Sequence, residues 1–163
     1  MKLATLLAIM LVLTWLVAPA SAQTSHGYFF VAPGAASCSG CGNNMTLHFG
    51  GGGEGIFGKG IGIGAELGYL TPRESMSDGL GVFSPNGYFH FGGKNRSRKA
   101  DPFVTAGYTL LFRSGHANLW NFGGGLNYWF GDRVGLKVEL RDHVWSVNST
   151  EHYWGVRIGI TFR

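Results

Sequence analysis

The sequence predicts an all-β chain folded as an eight-stranded antiparallel up-and-down transmembrane β-barrel. Three observations predict it. The first is the segment Trp154–Phe162, where Trp154, Val156, Ile158, Ile160 and Phe162 alternate with Gly155, Arg157, Gly159 and Thr161. Side chains on a strand point to opposite faces in turn, so one face is wholly apolar and the other small or charged. An arginine among glycines suits the cramped polar interior of a small barrel whose apolar face meets lipid. The second is glycine at every second residue, as at Gly58, Gly60, Gly62 and Gly64 and again at Gly123 and Gly125. The third is the number of such alternating stretches, eight, each close to the ~9–11 residues a tilted strand needs to cross a bilayer.

The chain opens with Lys2, an apolar run from Leu3 to Ala18, and Ala20-Ser21-Ala22. A basic start, an apolar core and a small-residue site describe a secretory signal peptide, cleaved after Ala22. Residues 1–22 are therefore read as the signal and 23–163 as one barrel domain. All 28 glycines fall in the second part, and they lack the three-residue period of collagen. No later segment has 18 consecutive apolar residues, so no helix of that part is expected to span a membrane. The positive charges are scattered except for the run 94–99, which reads as a solvated loop; nucleic-acid binding would want a broader basic face.

Taken in order, the strands are expected near 26–33, 44–52, 59–71, 80–92, 102–113, 117–130, 133–146 and 152–162. Gly131-Asp132 makes a tight turn, and Gly53–Phe57 another short link. The links 34–43, 72–79 and 147–151 are looser and polar. Outer-membrane barrels place short turns on the periplasmic side and longer loops outside; the 94–101 link is long for that rule. Ser84-Pro85-Asn86-Gly87 could by turn chemistry be a hairpin. That would give nine strands where single-chain bacterial barrels use even numbers, so 80–92 is read as one strand with Pro85 at a bulge or strained point.

Facing follows from parity. In the third stretch Ile61, Ile63, Ala65, Leu67 and Tyr69 point outward against Gly60, Gly62, Gly64, Glu66 and Gly68. In the sixth, Trp120, Phe122, Leu126, Tyr128 and Phe130 oppose Asn121, Gly123, Gly125 and Asn127. In the seventh, Val134, Leu136, Val138 and Leu140 oppose Lys137, Glu139, Arg141 and His143. Only Lys59 and Asp142 are charges of outward parity in these stretches, and both sit near strand ends, where a charge costs little.

The run Pro85-Asn86-Gly87-Tyr88-Phe89-His90-Phe91, a polar turn, and Asp101-Pro102-Phe103-Val104-Thr105-Ala106-Gly107-Tyr108 resembles the centre of small outer-membrane β-barrel proteins, typified by the transmembrane domain of outer-membrane protein A. Asn121–Tyr128, Val138–Arg141 and 152–162 look like that family's next, charged seventh and closing strands. The resemblance implies insertion into the outer membrane of a Gram-negative bacterium by the barrel-assembly machinery, with outer-membrane lipids as surroundings. Two features depart from it. Arg163 follows the closing aromatic Phe162, and the resemblance covers the barrel alone, without a peptidoglycan-binding domain, so the family's cell-wall anchoring is not expected to carry over.

Glu66, Lys137, Glu139, Arg141 and Arg157 are expected to face the lumen as a salt-bridge network, because an eight-stranded barrel is just wide enough for side chains to fill and buried charges require partners. A gate or narrow ion path is the competing use. Cys38 and Cys41 form a C-x-x-C pair in a glycine- and serine-rich loop, where export favours a local disulfide. Zinc would need two further ligands, and neither His26 nor His48 completes a standard spacing. Trp120, Tyr128, Trp129, Phe130 and Trp154, with Phe112, are read as interfacial aromatic girdles. His143 and Ser146 near Glu151 could suggest a hydrolase, but residues three apart on a strand face opposite ways. No Gly-Lys-Ser/Thr follows the glycine clusters, so nucleotide binding is excluded.

The expected role is that of a non-enzymatic outer-membrane barrel, monomeric and without cofactor, structural or acting at the surface through its loops. Two alternatives differ in class. A secreted lipocalin-like lipid binder would bury the Ile61, Ile63 and Leu67 face and expose Glu66 and Arg157. An outer-membrane lipid-modifying hydrolase would need a working Ser-His-acid site.

Overall fold

The computed structural model describes residues 24–37, 43–92, 99–146 and 150–163. Eight strands form a closed barrel in which every strand pairs antiparallel with its chain neighbours and the first pairs with the last. They are β1 (Thr24–Ser37), β2 (Asn43–Ile56), β3 (Ile61–Pro72), β4 (Leu80–His90), β5 (Ala100–Phe112), β6 (His116–Trp129), β7 (Val134–Ser146) and β8 (Thr150–Phe162). Closure runs through β1 and β8, with Phe29 opposite Ile160 and Gly34 opposite Gly155. Both ends of the described chain therefore lie at one end of the barrel, with the β2–β3, β4–β5 and β6–β7 connections.

Several details differ from the sequence reading, β4 for instance ending at His90 rather than at 92. The link placed at Gly53–Phe57 lies later, because β2 continues to Ile56 and Glu54 turns inward to meet His26. The turn is Phe57–Gly60, where the Phe57 N–H reaches the Ile61 carbonyl at 2.7 Å. Lys59 and Gly60 there have φ of 64° and 85°. Consecutive left-handed residues cannot continue a strand, so Lys59 belongs to the turn and β3 starts at Ile61. Pro85 sits at no bulge: Phe83 pairs with Leu110 and Asn86 with Gly107, an unbroken register on either side. Pro85 faces outward, and the neighbouring Ser84 and Thr109 hydroxyls join β4 to β5 at 2.8 Å. The loop expected at 34–43 is partly strand, since β1 extends to Ser37.

Polarity is inverted relative to a soluble protein. Ile61, Ile63 and Leu67 are exposed on the outer wall, whereas Glu66 and Arg157 are each 2% exposed. That is the reverse of what a lipocalin-like binder requires, and it removes that alternative. Some outer aromatics fall toward the strand ends, whereas Phe49 and Phe122 sit midway along β2 and β6. Tyr128 and Phe130 pack edge to face at the terminus end, and Tyr108 and Trp120 do so toward the loop end. Trp154 also points outward. Trp129 does not. It has inward parity between Tyr128 and Phe130, is 2% exposed, and closes the terminus end of the lumen against His26, with ring centroids 4.9 Å apart. It is a lumen residue rather than part of a girdle.

Candidate functional site

The lumen has three layers, built by inward residues at successive heights. The middle layer holds the five charges singled out from sequence. Glu66 on β3 is its hub: Arg157 Nη1 donates to both carboxylate oxygens at 2.9 and 2.8 Å, and the Tyr28 hydroxyl donates to Oε1 at 2.7 Å. Arg141 Nη2 approaches the same oxygen at 3.4 Å, while its Nε donates to Glu139 Oε1 and its Nη1 to Asn121 Oδ1 at 2.9 Å. Arg157 also lies 3.9 Å from Glu139. Two carboxylates thus face two guanidinium groups, whose forked donors allow such sharing. Lys137 stands a little apart. Its Nζ is 3.8 Å from Glu139 Oε2 and sits over the rings of Phe103 at 3.9 Å and Tyr28 at 4.5 Å. An ammonium over aromatic faces is partly compensated for lost water.

The glycine pattern makes room for these side chains. Glu66 pairs in register with Gly52, and Glu54 with Gly64. Glu139 pairs with Gly125 and Arg141 with Gly123; Lys137 pairs with Gly159. A Cβ on Gly125 would come within 2.9 Å of Phe103 Cζ and of Glu139 Cα. A barrel of fixed circumference can hold a long inward side chain only where its neighbour is small.

Below, toward the chain termini, is a layer that parity arguments on three strands did not reach. Glu54 accepts from His26 at 3.0 Å and faces His90 Nε2 at 3.5 Å, and His90 Nδ1 meets Asp101 Oδ2 at 2.8 Å. An imidazolium at His90 has an N–H for each of its two carboxylate neighbours. Arg163, the residue that follows the closing aromatic, caps this end. Its guanidinium lies 4.2 Å from the centre of the Trp129 ring, and its Nε donates to the Asp132 carbonyl at 2.9 Å.

Above the charged layer the lumen turns apolar. Leu70, Leu80, Leu111 and Leu119 converge there around a cavity of about 360 Å³ that also meets His143, Trp145 and Tyr153. His143 is buried, whereas Ser146 is exposed on the outward parity. The two residues do not form a hydrolytic pair, and among the described residues no three His, Asp or Glu side chains are arranged to hold a metal ion. Cys38 and Cys41, like residues 1–22, lie outside the described residues.

No family model and no curated protein matches the chain. Among solved structures, the fold resembles the N-terminal β-barrel domain of Pseudomonas aeruginosa OprF, at 16% identity over 85% of this chain and 98% of that one, with a TM-score of 0.59. It also resembles Neisserial surface protein A, at 12% identity over 85% and 96% and a TM-score of 0.64. The attachment invasion locus protein of Yersinia pestis superposes with a TM-score of 0.55, at 11% identity over 85% and 96%. The chain thus shares the fold of small outer-membrane barrels.

Proposed function

We propose that the chain is exported by a cleaved signal peptide and inserted by the barrel-assembly machinery into the outer membrane of a Gram-negative bacterium. There it acts as a monomeric structural or surface-contact barrel without enzymatic activity. The observation that carries this reading is the inverted polarity: an outer wall of Ile63, Leu67, Phe122, Leu140 and Ile158 around a lumen of paired charges. Water outside such a wall would leave a continuous apolar belt unburied, whereas lipid does not. The termini would lie on the periplasmic side and the β1–β2, β3–β4, β5–β6 and β7–β8 connections outside. The names of two proteins of the same fold, a surface protein and an attachment protein, accord with a contact role for those connections.

Within this reading the Glu66–Glu139–Arg141–Arg157 cluster plugs the lumen. Cell fractionation tests the location: recovery with outer membranes is expected, and recovery in the soluble fraction without detergent would overturn it. Single-channel recording in planar bilayers tests the plug. The expected trace is flat, and stepwise conductance by the purified chain would replace the plug with the gate or ion path.

A further inference from the structure

The apolar layer at the loop end serves neither the charged cluster nor the outer wall. Every strand contributes to it: Ala36 from β1, Thr46 from β2, Leu70, Leu80, Leu111 and Leu119 from β3 to β6, His143 and Trp145 from β7, and Tyr153 from β8. At about 360 Å³ the space is within the range of small-ligand pockets, ~300–1,000 Å³. It exceeds the ~150 Å³ apolar cavity that takes up benzene. His143 supplies the polar element. Its side chain is 3% exposed, yet neither Nδ1 nor Nε2 has a hydrogen-bond partner among the described residues. Its ring leans on Tyr153 and His48, at centroid distances of 5.4 and 6.3 Å, neither of which gives it a hydrogen bond. A buried imidazole with both nitrogens unsatisfied is costly unless another molecule completes it.

We propose that this cavity is a binding site for a small neutral aromatic alcohol, one or two fused rings carrying a hydroxyl. A hydroxyl can donate to the acceptor nitrogen of a neutral imidazole or accept from its N–H, one nitrogen at a time, so either tautomer of His143 can hold it. The leucines and Trp145 match a flat apolar body, and a rigid ring loses little conformational freedom on entry. Anions are disfavoured, because Asp78 and Glu151 stand on the lining. The arginines of the charged layer are already engaged by Glu66 and Glu139. The site is independent of which membrane face the loops occupy.

The test uses 2-naphthol with the full-length chain in phosphatidylcholine nanodiscs, read by NMR at the His143 ring and by intermolecular NOEs. Site-specific signals separate binding from partition into lipid. The expected result is saturable perturbation of His143 with NOEs to Leu70 and Leu119 methyls. Naphthalene, lacking the hydroxyl, should bind about five- to tenfold more weakly, as should 2-naphthol to His143→Phe. Leu119→Trp, which fills the cavity, should abolish the NOEs. NOEs confined to outward residues such as Ile63, equal affinity for naphthol and naphthalene, or unchanged binding by Leu119→Trp would each overturn the proposal. The two-ligand comparison on the unaltered chain decides the matter even if His143→Phe fails to fold.

Discussion

Replacing Glu66 with Gln keeps the shape of the hub and removes its charge. In the native lumen Glu66 is 2% exposed and accepts from Arg157 at 2.8 and 2.9 Å and from Tyr28 at 2.7 Å, with Arg141 at 3.4 Å. The glutamine still offers one oxygen, but its amide turns a donor toward a guanidinium. Arg157 is left with Glu139 at 3.9 Å, already engaged by Arg141. Breaking a buried ion pair by removing one partner costs about 3–5 kcal/mol. The partial fallback on Glu139 puts the expected loss near about 3 kcal/mol, by the same reasoning. With a urea slope of roughly 2 kcal/mol/M, the unfolding midpoint should fall by roughly 1.5 M. The assay is urea unfolding in lipid vesicles, followed by tryptophan fluorescence and far-ultraviolet circular dichroism on the same samples. Arg113→Ala is the control. Its pairing with Asp78 at 3.8 Å is half-exposed, and such surface pairs contribute about 0–1 kcal/mol. Removing both partners, as Glu66→Leu with Arg157→Met, should recover much of the loss, because paired burial rather than charge itself is what the lumen tolerates. A midpoint for Glu66→Gln within about 0.3 M of wild type (about 0.6 kcal/mol at that slope), or strict additivity in the double variant, would refute the hub assignment.

Other consequences follow from the same geometry. Leu67→Arg places a charge on the outer wall midway along β3 and should destabilise the barrel in a bilayer by about 2–4 kcal/mol; Phe130→Arg, at a strand end, should cost about 0–1. Equal costs in vesicle refolding would argue against the membrane frame. Gly125→Leu drives a side chain into Phe103 and the β7 backbone, and overpacking of this kind costs about 1–3 kcal/mol; an unchanged thermal midpoint would show that the glycine pairing has no steric role. Arg163→Ala removes the cation over Trp129, worth about 0.5–1 kcal/mol, and should shift the tryptophan emission spectrum with only a small change in stability. Cys38 and Cys41 are expected to resist alkylation until a reductant is added, as mass spectrometry of the exported protein would show.

The barrel was legible because period-two alternation is a property of the strand itself and survives degenerate sequence. Eight stretches, their order and the inward set Glu66, Lys137, Glu139, Arg141 and Arg157 could be read from parity alone, and the structure brings those five into one layer. Parity also held the answer for Trp129, which shares its face with Asn121 and Asn127; grouping it with its aromatic neighbours put residue type ahead of position. Glu54 escaped because the surrounding glycines, 50–53 and Gly55, read equally well as a turn. Which inward residues touch could not be read, since a contact such as Tyr28 to Glu66 depends on the stagger between strands that parity leaves open. The leucine collar was hidden for a related reason: Leu70, Leu80, Leu111 and Leu119 sit one per strand, and become a layer only when the registers align them.

That layering bears on conduction. An ion crossing the lumen needs an unbroken file of polar partners, since a short apolar constriction excludes water and with it the hydrated ion. Here the five charges are flanked toward the loops by the leucine-lined cavity and toward the termini by the second polar layer of His26, Glu54, His90 and Asp101, beyond which Ile56 and Trp129 are each 2% exposed. Glu66, Lys137, Glu139, Arg141 and Arg157 are each at most 2% exposed, so little bulk water reaches them, and that strengthens each ion pair. A barrel tuned for passage would place its apolar residues only on the outer wall. This one adds leucines at the loop end and Ile56 and Trp129 at the terminus end, an arrangement that accords with the proposed plug and that single-channel recording tests.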